Sequence, residues 1–145
     1  EAALAAFLRE HPAWPPALTL RARALANLGR LEEALLCCDR ALLGEQLDAS
    51  THRLRATILG ELGSIDEAAH ALRRSLYLDP NCALTHFTFG NLALRRREIG
   101  RARRCFSNVV ALVRERPAGE ELPHSEGLTC GGLLQMTEAL VRGLK

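Results

Sequence analysis

The side chains with most chemical latitude here are five cysteines and five histidines. The cysteines are Cys37, Cys38, Cys82, Cys105 and Cys130. Zinc sites pair such ligands at short spacings, and neither a CxxC pair nor a CxxC…HxxxH pattern is present. Neighbouring Cys37 and Cys38 would point apart on a helix and could not pair without strain. The expectation is five reduced thiols used as small hydrophobes, as in a reducing cytoplasm. His52 and His86 lie one repeat apart, with Cys82 close in sequence to the second. A metal site built from these three is the sharper reading. Histidines satisfied in a core or at an interface are the commoner case, so no metal is expected. No GxSxG elbow, GxGxxG loop or GxxxxGK[ST] loop occurs. The chain is expected to catalyse nothing and to hold no cofactor.

Charge offers more. Of 19 basic residues, 18 are arginine, and the net charge of +2 is too small to mark a nucleic-acid binder. Residues 1–72 carry a balance of −3 and residues 73–145 one of +5. The run Arg95-Arg96-Arg97-Glu98-Ile99-Gly100-Arg101-Ala102-Arg103-Arg104 places six arginines around one turn. A solvated face is the ordinary reading of such a run. Docking to an acidic protein surface is the functional one. Nucleic acid is disfavoured, because no aromatic residues interleave to stack bases.

The elements that position these residues follow from composition. The 145 residues include 28 leucines and 22 alanines, with 4% aromatics. Leu and Ala are strong helix formers, so the chain reads as all-α. No apolar run approaches the ~18 residues of a membrane span, so no membrane insertion is expected. The chain begins at Glu1, without an initiator methionine and in mid-helix pattern, and reads as a piece of a longer protein.

Three segments align without a gap at a period of 34: residues 15–48, 49–82 and 83–116. Column eight holds Ala22, Ala56 and Gly90, and column twenty holds Ala34, Ala68 and Ala102. Column twenty-four holds Cys38, Leu72 and Phe106. Small residues recur where helices approach, and larger ones where space must be filled. Each segment reads helix–turn–helix. Gly29 and Gly63 break the first two pairs, and Arg96-Arg97-Glu98 stands at the third turn.

These columns, with Pro80 near the end of the second segment, resemble the tetratricopeptide repeat (TPR). The resemblance implies a superhelical solenoid of antiparallel helix pairs. Extended backwards, the period puts Pro12 in the proline column and makes residues 1–14 the second helix of a partial repeat, with Leu4, Phe7 and Leu8 inward. Residues 117–126 read as a proline-marked loop. Residues 127–145 read as a capping segment, its helix starting near Ser125 or Thr129 and running to about Arg142, with Leu133, Met136, Leu140 and Leu144 on its apolar stripe. In the TPR family the concave side is built from the first helix of each repeat. Carried over, those columns give Thr19, Arg23 and Asn27, then Arg53, Thr57 and Glu61, then Phe87, Asn91, Leu94 and Arg95. The expected partner-binding residues are Arg23, Asn27, Arg53, Thr57, Phe87, Asn91 and Arg95. The partner implied is an acidic or polar peptide segment.

A narrower resemblance lies in residues 84–93, 102–108 and 123–131. They look like the C-terminal TPR module of CheR-type chemoreceptor methyltransferases, including those of the Frz gliding-motility pathway. This implies a module that regulates or targets a chemoreceptor glutamate methyltransferase in a bacterial chemosensory pathway. S-adenosylmethionine is then expected only in a catalytic domain of the parent protein. The partner would be the chemoreceptor or that catalytic domain. The alternative is a free-standing cytoplasmic scaffold that binds peptide segments of other partners.

Overall fold

The computed structural model describes residues 2–10 and 14–144, apart from the side chains of Phe7 and Leu8. Among these are eight helices: α1 (Ala2–Glu10), α2 (Pro15–Asn27), α3 (Leu31–Gly44), α4 (Ala49–Glu61), α5 (Ile65–Leu78), α6 (Ala83–Arg95), α7 (Ile99–Val113) and α8 (Cys130–Gly143). The inward placement of Phe7 and Leu8 and the role of Pro12 lie outside the described residues.

The chain divides into two compact units, residues 1–78 and 79–145. In the first unit, α2 pairs with α3 and α4 with α5, while α3 packs on α4. Its core joins Ala22, Leu25, Ala34, Cys37, Cys38 and Ile58. Leu4 of α1 packs against a neighbouring cluster of Ala17, Leu18 and Ala41. In the second unit, α6 pairs with α7, and α8 packs on α7. Leu84, Val109, Val113 and Leu133 lie in one cluster there, and Ala93, Ala102 and Phe106 in another.

One turn geometry closes all three pairs. The N–H of Arg30 donates to Leu25 O at 2.9 Å, and that of Gly29 to Ala26 O at 3.0 Å. Ser64 and Gly63 repeat the pattern onto Leu59 and Gly60, and Glu98 and Arg97 onto Ala93 and Leu94. This is the Schellman arrangement, which needs a left-handed residue just past the helix. Glycine meets that need at Gly29 (φ 78°) and Gly63 (φ 85°), but the third pair uses Arg97 at φ 59°.

The C-terminal segment differs from expectation in two respects. The helix begins at Cys130, and Thr129, one of its two expected starting points, is its N-cap and accepts from the Gly132 N–H at 3.0 Å. The residues before it are paired: Glu121 and Thr129 form an isolated antiparallel bridge, and Leu122 N–H donates to Leu128 O at 2.8 Å. Met136 is not on the inward stripe and is 47% exposed. Thr137 is fully buried in its place and donates to Leu133 O at 2.8 Å. Leu140 and Leu144 pack against the Phe106 cluster, so the inward face runs Leu133, Thr137, Leu140, Leu144.

Candidate functional site

Within the first unit, the face expected to bind is carried by α2 and α4. Arg23 and Asn27 stand one turn apart on α2, as Arg53 and Thr57 do on α4. Arg23 and Arg53 are half-buried, and Asn27 and Thr57 are exposed. Half-burial suits arginine, whose stem packs while its head reaches solvent. The Thr57 hydroxyl donates to Arg53 O at 3.1 Å, which leaves its oxygen as an acceptor.

A hydroxyl relay fixes α2 against α4. Asp48 caps α4, taking the Ser50 N–H at 3.2 Å and the Ser50 hydroxyl at 2.8 Å. Its other oxygen takes the Thr51 hydroxyl at 2.5 Å. A carboxylate only accepts, so the Thr51 proton is committed to Asp48. The Thr51 oxygen, 2.9 Å from that of Thr19, is therefore the acceptor for the Thr19 hydroxyl. The family resemblance implies a place for Thr19 on the binding face. It is only 8% exposed and belongs to this relay instead.

Within the second unit, Phe87, Asn91 and Arg95 follow at four-residue spacing on α6. Phe87 is half-buried, packs against both clusters, and holds its ring 5.9 Å from that of Phe106 at 54°. Asn91, one turn on, is half-buried, and Arg95 is exposed. The arginine run beyond is partly committed within the unit. Glu98 takes Arg96 at 2.8 Å and Arg101 at 3.1 Å. Arg101 also lies over the Phe89 ring at 5.7 Å, a cation–π contact. Arg103 donates to Leu144 O at 2.6 Å. Half of the run thus secures the turn and α8.

His52 and His86, one repeat apart, share one role. His52 Nε2 lies 2.9 Å from Gln46 O, and His86 Nε2 lies 2.8 Å from Pro80 O. Each ring donates to the carbonyl six residues earlier and anchors the start of its repeat. Among the described residues, no three His, Cys, Asp or Glu side chains gather as a metal-binding group.

The thiols are packing groups. All five cysteines are free of disulfides, and all but Cys82 are buried. Burial, then the charges of Asp39 and Cys37, pushes the Cys38 thiol up from 9.0 to about 12. Burial raises Cys105, and burial with a hydrogen bond to Glu120 raises Cys130. Such thiols are poor nucleophiles.

Residues 15–43 and 53–82 match the family model described as tetratricopeptide repeat. Those two stretches cover less than half of the chain, and its fold is the all-α helix-pair fold of TPR proteins. No curated protein sequence matches it. PcrH, solved with the chaperone binding region of PopD, is 16% identical, with a TM-score of 0.75 over 88% of this chain and 87% of that one. The first TPR of Spaghetti (RPAP3), bound to the HSP90 peptide SRMEEVD, is 12% identical, with a TM-score of 0.67 over 88% and 93%. MamA of Desulfovibrio magneticus RS-1 is 18% identical, with a TM-score of 0.72 over 78% of this chain. The chain spans 64% of the MamA length. At these identities the likeness is one of fold.

Proposed function

We propose that this chain is a protein–protein interaction module in which each unit by itself, through α2 and α4 in the first and α6 in the second, presents a first-helix face to a polar or acidic segment of a partner. It acts by binding and not by catalysis. The observation that carries this reading is the pair of Arg-and-polar ladders, Arg23/Asn27 and Arg53/Thr57, on two helices joined by the Thr19–Thr51–Asp48 relay. A preset face leaves most of the ordering cost to the peptide. Arginine gives carboxylates charge-assisted, bidentate bonds, and asparagine matches both groups of a peptide backbone. PcrH and the first TPR of RPAP3 were each solved with a partner segment, one of them acidic, and lend the reading support.

Fluorescence polarisation with labelled SRMEEVD tests it. Arg23→Gln with Arg53→Gln should weaken binding by roughly tenfold, in line with loss of charge-assisted bonds. Unchanged affinity in a folded double variant would refute the assignment.

The finer reading is that the module regulates or targets a chemoreceptor methyltransferase in the cytoplasm. It rests on the sequence resemblance of residues 84–93, 102–108 and 123–131. The held segment would then belong to the receptor or to the parent's S-adenosylmethionine-dependent domain. Receptor methylation by the full-length parent, a truncated form and an Asn91→Ala/Arg95→Glu variant tests this. Identical rates and receptor choice in all three would leave the scaffold reading alone standing.

A further inference from the structure

The second helices of the first unit carry a cleft that the face described above does not use. It has a volume of about 330 Å³ and lies among α3, α4 and α5. Leu42, Leu43 and Ala71 supply apolar wall. The ionisable groups on it are Asp39, His52, Arg55, His70 and Arg74. Arg55 Nε donates to Asp39 at 2.7 Å, which balances those two charges and holds the guanidinium in place. No other hydrogen bond or ion pair engages Arg55 among the described residues, so its two terminal amino groups keep their donors. Arg74 and His70 make none at all among those residues, and Arg74 leaves the cleft with a net positive charge.

The cleft and the α5 face that continues from it expose apolar side chains. Leu43 is 82% exposed and Tyr77 is 88% exposed, at equivalent positions of the first and second repeats. His70, Arg74 and Tyr77 share one face of α5, at four- and three-residue spacing. Nothing in the helix packing needs a tyrosine or leucine in water. Arginines around a partly apolar recess, with an exposed tyrosine three residues beyond Arg74 on the same helix, match the composition of interface hot spots.

We propose that this cleft is a second docking site, which takes an acidic segment of a partner protein flanked by apolar side chains. A carboxylate of the segment meets Arg74 and the spare donors of Arg55. Its apolar neighbours cover Leu43 and Tyr77. The charge of the cleft selects an acidic segment over a basic one, and its apolar walls select against a purely polar one. The site is separate from the first-helix face, and either can fail without the other.

The test is polarisation titration of the whole chain with labelled peptide EFLDEL, its neutral counterpart QFLNQL, and SRMEEVD. Because Arg74, Leu43 and Tyr77 are exposed, Arg74→Glu, Leu43→Ser and Tyr77→Ser leave the core untouched. EFLDEL should bind, and Arg74→Glu should weaken it by roughly tenfold. QFLNQL should bind the wild type more weakly by a similar factor, and Leu43→Ser/Tyr77→Ser should also weaken EFLDEL. In the Arg23→Gln/Arg53→Gln background EFLDEL should still bind and should still be weakened by Arg74→Glu. No binding of EFLDEL up to about 1 mM, equal binding of QFLNQL, or indifference to the cleft variants would overturn the proposal. So would sedimentation showing a dimer that Leu43→Ser/Tyr77→Ser dissociates, since the cleft would then be covered by a second copy.

Discussion

At column eight the repeats carry Ala22, Ala56 and Gly90, and at column twenty-four Cys38, Leu72 and Phe106. The smallest residue faces the largest. A Cβ on Gly90 would stand 2.5 Å from Phe106 Cε1, and the Phe106 ring is fully buried and cannot swing away. Gly90→Ala should therefore cost about 1–3 kcal/mol in urea denaturation. Added to that variant, Phe106→Leu should cost less than it does alone, a coupling that a double-mutant cycle measures. Cys38 makes a second residue-scale prediction. Its folded value, about 12, lies above the ordinary 9.0, so the neutral thiol is the form the fold favours. That contribution is complete below pH 9.0 and is lost as pH rises toward about 12. Denaturation midpoints should fall over that range, and less steeply in Cys38→Ala. Alkylation of the folded chain should reach the half-buried Cys82 first.

At the scale of elements, the third turn holds a conformational cost that the other two avoid. Arg97 adopts the left-handed conformation that Gly29 and Gly63 accept freely. Arg97→Gly should raise stability by about 0.5–1 kcal/mol, read as a higher melting temperature. Asp48 serves two helices, as cap of α4 and as acceptor for Thr51. Asp48→Ala should cost about 1–2 kcal/mol and should also weaken SRMEEVD, since the relay aligns α2 with α4. The helix pairs were legible in sequence because the small-residue columns and turn glycines repeat in one register. The start of α8 was legible only to within a few residues, since Gly131 and Gly132 follow its cap and leave Ser125 and Thr129 both open as starts. Met136 and Thr137 exchanged places because both fit a helical stripe, and Thr137 is buried with its hydroxyl bonded back to Leu133. The relay joins residues 32 positions apart, and the cleft draws on three helices. Neither leaves a local signal.

At the scale of the whole molecule, the chain comprises two units, each with its own helix pairs and core. No helix among the described residues is long and apolar enough to cross a membrane. The positive balance of residues 73–145 should speed association with acidic partners, with an on-rate that falls as salt rises. The central claim is that partners lie on the first helix of each repeat. Photo-cross-linking with SRMEEVD carrying a benzophenone at its centre measures this most directly, with the attachment sites read by mass spectrometry. The account predicts cross-links within the first helices of a unit, α2 and α4 or α6. Cross-links confined to α3, α5 and α7 would contradict it.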